Sequence, residues 1–180
     1  MGQDNPINPS ETFRMRRIIG IDPGKDGGYV VLSPEGDVVD VVHLDDGLKI
    51  LAGMTREESK GYHAFVEKAQ VMAKGPVRPS AVASFTYGTG YGEILGLLRG
   101  LWMPFTLVSP VAWTKTMHQG TTVSKADKVR SFEAASRIFP RQTWILPGRR
   151  KPHDGTCEAA LIAEWGRRHL GGAENVPIPF

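Results

Sequence analysis

The sequence predicts an α/β fold: a five-stranded mixed sheet, in which an antiparallel meander is extended by parallel strands, flanked by helices. Three observations predict it. Short β-branched runs come first, three in succession and then one more. Helical periodicity follows and alternates with a fifth strand-like run. Two of the strands also end in an acid, and two further acids open the last helix, so that the four can meet at one edge of such a sheet.

Taken in order, Arg17-Ile-Ile-Gly-Ile-Asp22 is a short apolar run stopped by Pro23-Gly24, the pattern of a buried strand ending in a carboxylate. Gly28–Ser33 and Asp37–Leu44 are β-branched runs joined by the turn sequence Ser33-Pro34-Glu35-Gly36. A poorly periodic stretch follows, in which Thr55-Arg-Glu-Glu58 has the form of a capping box. Tyr62–Glu67 predicts the fourth strand, again closed by an acid. Glu93–Leu101 predicts a helix and Phe105–Val108 the fifth strand. Ser109-Pro110 is a helix start, with Ser as N-cap and Pro at the first helical position. Ser124–Phe139 predicts an amphipathic helix closed by Pro140, and Arg141–Pro152 a basic loop. Asp154 to Trp165 predicts the last helix.

Length and composition set the class. At 180 residues and 41% hydrophobic, the chain is expected to bury about 70% of its unfolded surface in one domain over residues 16–170. Residues 1–15 and 171–180 are expected to be flexible tails. No apolar run approaches the ~20 residues of a membrane span, and the polar N-terminus has no signal-peptide pattern. A single cysteine, Cys157, excludes an internal disulfide and suggests a reducing cytoplasm. A net charge of +3 suits a nucleic-acid binder and many other soluble enzymes alike.

The most informative residue is Glu158. Leu161, Ile162 and Trp165 lie three, four and seven residues further on, so helical spacing puts Glu158 on the apolar stripe, with Asp154 one turn earlier on the same face. Two acids aimed at a core cost several kcal/mol unless a positive group compensates them, and a divalent metal ion is the obvious one.

Ile19-Gly-Ile-Asp-Pro-Gly24, Phe65-Val-Glu67, Pro110-Val-Ala-Trp113-Thr-Lys115 and His153-Asp154-Gly-Thr-Cys-Glu158-Ala-Ala-Leu-Ile-Ala163 occur in this order. With them the chain resembles the RuvC-like Holliday junction resolvases over roughly residues 16–168, and looks closest to the phage-encoded and plastid branch. The resemblance implies an RNase H-like fold, a homodimer and Mg²⁺-dependent cleavage of four-way DNA junctions in a bacterial or phage-infected cytoplasm. It implies an acidic cluster of Asp22, Glu67, Asp154 and Glu158. The last acid is often Asp in the family, and the final pair is often spaced by three residues, against four here. His153 adjoins the pair, leaving the fourth ligand open between Asp154 and His153. Gln70 stands where the family has an aromatic.

Each candidate has an ordinary reading beside it. Asp22 can form the turn before Pro23, Glu67 can be a solvated strand end, and Asp154 can be the N-cap of its helix. Hard oxygen donors without a Cys/His quartet favour Mg²⁺ or Mn²⁺ over zinc. Two ions about 3.5–4 Å apart can activate a water and stabilise the leaving oxygen, giving 5′-phosphate and 3′-hydroxyl ends. In this reading Asp22 bridges, Glu67 and Glu158 hold one ion each, and Asp154 or His153 completes the site. Lys115, Lys125, Lys128, Arg149, Arg150 and Lys151 are the candidate phosphate contacts, and Phe85 and Tyr87 the candidate junction wedges. Gly88, Gly92, Gly96 and Gly100 form a smooth helical stripe, for close packing on the sheet, a dimer contact or an approach to DNA. Ser109 and Trp113 read as structural. The rival functions are another RNase H-like nuclease, acting on RNA–DNA hybrids or transposon ends, and a junction-binding protein without catalysis. A two-lobed ATPase clamp needs a longer chain.

Overall fold

The computed structural model describes residues 16–69, 80–122 and 129–170. Five strands, β1 (Arg17–Asp22), β2 (Gly28–Leu32), β3 (Val38–His43), β4 (Tyr62–Glu67) and β5 (Phe105–Val108), form one sheet in the order β3-β2-β1-β4-β5. The first three make an antiparallel meander, and β4 and β5 extend it in parallel with β1. Among the described residues six helices accompany them: α1 (Leu44–Gly53), α2 (Arg56–Ser59), α3 (Ala81–Gly100), α4 (Pro110–Met117), α5 (Val129–Ile138) and α6 (Asp154–His169).

Strand pleating sorts the core into two layers, because successive side chains point to opposite faces. On one face Ile18, Val30, Leu32, Phe65 and Val108 pack with Trp113, Met117, Ala134, Ala135 and α6. On the other, Ile19, Ile21, Val31, Ala64 and Val66 pack with Leu44, Leu51, Ile94 and Leu98 of α1 and α3. With both faces covered, β1 is buried throughout except for Arg17, which is why its sequence reads as a continuous apolar run.

α6 lies against the centre of the sheet, and two glycines set how close it comes. A Cβ on Gly20 of β1 would overlap the Ala159 carbonyl and the Ala163 amide, and one on Gly155 would overlap the backbone at Asp26 and Gly27. The first turn of α6 is thereby pressed onto the β1–β2 end of the sheet, where Gly27 and Gly155 form a bridge.

Two elements differ from the sequence reading. The poorly periodic stretch after β3 contains the ten-residue helix α1, whose N-cap is His43; a histidine in that role is not a usual start signal. α3 begins at Ala81, capped by Ser80, twelve residues before the expected Glu93, because its repeated glycines lower helix propensity over the first half. The expected capping box is present, with Thr55 and Glu58 bonded reciprocally. Lys125, Lys128, Gln70, the start of the Ser124–Phe139 helix and both tails lie outside the described residues. No helix among the described residues is long and apolar enough to cross a membrane.

Candidate active site

The register of the parallel pair β1–β4 runs Ile21↔Val66 at its last step, so the next residues, Asp22 and Glu67, finish neighbouring strands at the same edge. α6 begins at that edge, and its first turns carry Asp154 and Glu158 over β1. The four acids are near enough to repel one another. Asp22 is buried, and its carboxyl is raised to about 7 by desolvation, with Glu67 and Asp154 adding repulsion. Glu158 is half-buried and raised to about 8 by desolvation, then by Asp22, Asp154 and Glu67. Desolvation also raises Glu67, partly offset by a hydrogen bond from Trp113. Asp154 is exposed, so of the two acids expected on the buried stripe only Glu158 is drawn inward. Gly155, Thr156 and Cys157 take the buried side of that first turn against the sheet, which leaves Asp154 facing out.

The carboxylates are held by donors. The Gly24 N–H donates to Asp22 Oδ1 (3.0 Å), Trp113 Nε1–H to Glu67 Oε1 (2.9 Å), and the Ser131 hydroxyl to Glu158 Oε1 (3.1 Å). Among the described residues no Lys, Arg or His forms an ion pair with Asp22, Glu67 or Glu158. The other buried glutamate of α6 behaves differently: Glu164 takes Arg167 (2.7 and 2.9 Å) and Arg168 (2.7 Å), and its carboxyl is lowered by them.

His153, not Asp154, is the N-cap of α6. Its Nδ1 accepts the Thr156 N–H (3.2 Å), and burial lowers its basicity, helped by His43 and Arg149. A neutral imidazole that accepts at Nδ1 carries its proton on Nε2, so this ring presents no free lone pair. Cys157 is fully buried and its thiol is pushed up to about 12, which makes it inert.

Hard oxygens from four mutually repelling acids, two of them with strongly raised pKa values, suit a divalent cation. Among the described residues, however, no three His, Cys, Asp or Glu side chains are grouped closely enough to hold one as they stand.

The surrounding candidates divide. Lys115, Arg149, Arg150 and Lys151 are exposed. Arg149 lines a groove of about 500 Å³ with His43, Asp45 and Asp46, and its charge reaches His153 beside the acids. Tyr87 stacks with Tyr91 (centroids 6.4 Å apart), and its hydroxyl pKa is raised by burial first and then by Glu67 and Asp22, so α3 carries it past the acidic edge. Phe85 is 77% exposed. Two residues before Tyr87 it stands on a different face of the helix. Gly88, Gly92, Gly96 and Gly100 are exposed, and a Cβ on any of them would touch nothing within 4 Å. The stripe is therefore not pressed onto the sheet, and the close-packing reading fails. Trp113, Ser131 and His118, which touch the acids or their partners, were not legible as site residues. Their hydrogen-bond partners lie far away in sequence, and Trp113, although part of the Pro110–Lys115 motif, reads from sequence as structural.

Comparison with solved structures points the same way as the strand order. Thermus thermophilus RuvC in complex with a Holliday junction substrate superposes with a TM-score of 0.54 at 13% identity, covering 83% of this chain and 92% of that one. The chain has a RuvC-like fold. A second Thermus thermophilus RuvC structure gives a TM-score of 0.50, again at 13% identity, over 84% of this chain and 95% of the other. The five-stranded mixed sheet flanked by helices is thus the RNase H-like arrangement of RuvC. No protein-family model matches the chain, and no curated protein sequence does.

Proposed function

We propose that this protein is a Holliday junction resolvase: a homodimeric, Mg²⁺- or Mn²⁺-dependent endonuclease that nicks four-way DNA junctions symmetrically. The observation that carries the reading is the acidic edge itself. Asp22, Glu67 and Glu158 are drawn together without a cation among the described residues, and Asp22 and Glu158 have carboxyls raised to about 7 and 8. Such repulsion is costly unless the site exists to bind positive charge. The RuvC-like fold and the ordered motifs around these acids support the same substrate class.

Asp22, Glu67, Asp154 and Glu158 would hold the metal. Two divalent ions bound there would supply an activated water and stabilise the leaving oxygen of the scissile phosphate, which would give 5′-phosphate and 3′-hydroxyl ends. Asp22 is fixed through Oδ1 by the Gly24 amide. Asp154 is favoured over His153 as the fourth ligand, because the His153 Nδ1 is engaged in capping α6. Lys115, Arg149, Arg150 and Lys151 are the proposed phosphate contacts, joined by Lys125 and Lys128. Tyr87 is the better-placed aromatic of the two wedge candidates, since it passes the acids, whereas Phe85 stands on another face. The exposed glycine stripe of α3 is the proposed dimer contact. Two-fold symmetry would then set two active sites on opposing strands.

The test is cleavage of a synthetic four-way junction beside linear duplex and RNA–DNA hybrid, with Mg²⁺, for wild type, Asp22→Asn and Glu67→Gln. Paired nicks by wild type on the junction alone are expected, and binding without cleavage by both variants. Preferential hybrid cleavage would reassign the chain to another nuclease activity of this fold, and binding without cleavage by wild type would make it a junction-binding protein.

A further inference from the structure

Resting on the junction-nuclease reading, this inference concerns three buried side chains that the four acids alone do not account for. Trp113 is 2% exposed, yet its indole N–H is spent on Glu67 Oε1 at 2.9 Å. Ser131, 4% exposed, donates its hydroxyl proton to Glu158 Oε1 at 3.1 Å. His118, 8% exposed, stands behind Ser131 with Nε2 3.3 Å from the same hydroxyl oxygen. The His118 ring also meets the Trp113 ring edge-on at 5.2 Å. The support behind Glu67 and the support behind Glu158 are therefore joined.

We propose that Trp113, Ser131 and His118 are positioning residues that fix the Glu67 and Glu158 carboxylates for metal binding. Proton counting gives the chain its direction. A serine hydroxyl has one proton, and here it points at Glu158, so Ser131 Oγ accepts from His118 Nε2–H. His118 thus holds the serine rotor with its proton toward the carboxylate. Arg130 and Arg137 lie near the ring, and with burial they keep it neutral, its pKa lowered to about 4, which leaves one N–H, the one the relay uses. Each acid keeps its second oxygen outside these bonds, available to an ion. Sequence spacing hides the arrangement, since Trp113 is 46 residues from Glu67 and Ser131 is 27 from Glu158.

The experiment measures Mn²⁺ affinity by calorimetry, the Mg²⁺ dependence of junction nicking, and thermal unfolding. It uses full-length wild type, Ser131→Ala, Trp113→Phe, His118→Phe and His118→Gln. Loss of an outer hydrogen bond should weaken Mn²⁺ binding about tenfold in S131A, W113F and H118F, with a parallel rise in the Mg²⁺ needed for half-maximal nicking. H118Q restores an N–H donor and should recover most of the affinity, which filling of space alone would not do. Unchanged affinity in S131A and W113F, both folded, overturns the proposal. If W113F does not fold, S131A and the His118 pair decide it. Should wild type neither bind Mn²⁺ nor nick junctions, the nuclease reading fails on its own. Metal-free crystals then test the positioning: one Glu158 conformer in wild type and several in S131A support it, and one conformer in both overturns it.

Discussion

Glu158 and Glu164 lie six residues apart on one helix, both drawn into its packed side, and differ in what surrounds them. Glu164 is clasped by two arginines one turn on, which makes it a structural ion pair. Glu158 meets other acids and a serine instead. Helical phase predicted the inward Glu158, because an acid on an apolar stripe is visible in the sequence; it could not show that Ser131 would meet it. Burial has a cost elsewhere as well. His63, 7% exposed in β4, bonds Thr106 through Nε2 (2.9 Å) and packs on Phe65, and burial lowers its pKa to about 4 from 6.5. Below pH 6.5 the unfolded chain therefore takes up a proton that the folded chain refuses, and stability falls as pH drops from 6.5 toward 4. At about 1.4 kcal/mol per pH unit, the loss due to this residue is roughly 2 kcal/mol at pH 5. Asp22 and Glu158, raised instead, act in the opposite direction, so the His63 contribution is read as a difference. Urea unfolding of wild type and His63→Asn at pH 7 and pH 5 should show the gap between the two narrowing by about that amount on acidification. A gap that does not change with pH would show that His63 takes up its proton as easily folded as unfolded.

Elements meet here through glycine in two opposite ways. Gly20 lets the α6 backbone rest directly on β1, and that contact sets Glu158 over Asp22. Gly20→Ala should destabilise the fold by roughly 3 kcal/mol or more, as overpacking against backbone does, and should lower nicking beyond what the loss of folded protein explains. Thermal unfolding and specific activity per folded molecule measure the two effects. Gly96 in α3 is the reverse case, exposed and with nothing for a Cβ to strike. Gly96→Ala should raise the urea stability of the protomer by about 1 kcal/mol through helix propensity. If a second copy docks on this stripe, the same methyl should also weaken self-association in sedimentation experiments. The four strands from β1 to β4 were legible because β-branched runs and turn residues mark them, and β4 and β5 matched their expected bounds. The first half of α3 was hidden for the reason that makes it interesting: glycines that suppress a helix signal in isolation are tolerated once Ser80 caps it and Ile94 and Leu98 anchor it to the sheet.

On the scale of the whole molecule, the sheet brings acids from β1, β4 and α6 to one edge, where Asp22, Glu67 and Glu158 form no ion pair with a described side chain. If this edge binds metal as proposed, the metal-free protein is the strained state and its stability depends on the ion. A ligand that binds only the folded protein stabilises it by RT ln(1 + [L]/Kd), about 2.7 kcal/mol at a hundredfold excess over Kd. Mg²⁺ or Mn²⁺ should therefore raise the melting temperature of wild type by several degrees, whereas Na⁺ at matched ionic strength should not. Asp22→Asn removes a charge from the cluster, so it should melt higher than wild type without metal and respond little to its addition. The crossing of those two trends is the informative result. If Asp22 acts mainly as a turn-former, the variant should melt below wild type in both conditions, because an Asn oxygen accepts the Gly24 N–H less strongly than a carboxylate does. Scanning calorimetry of both proteins, with and without Mg²⁺, separates a fold that tolerates its acidic edge from one built to bind metal there.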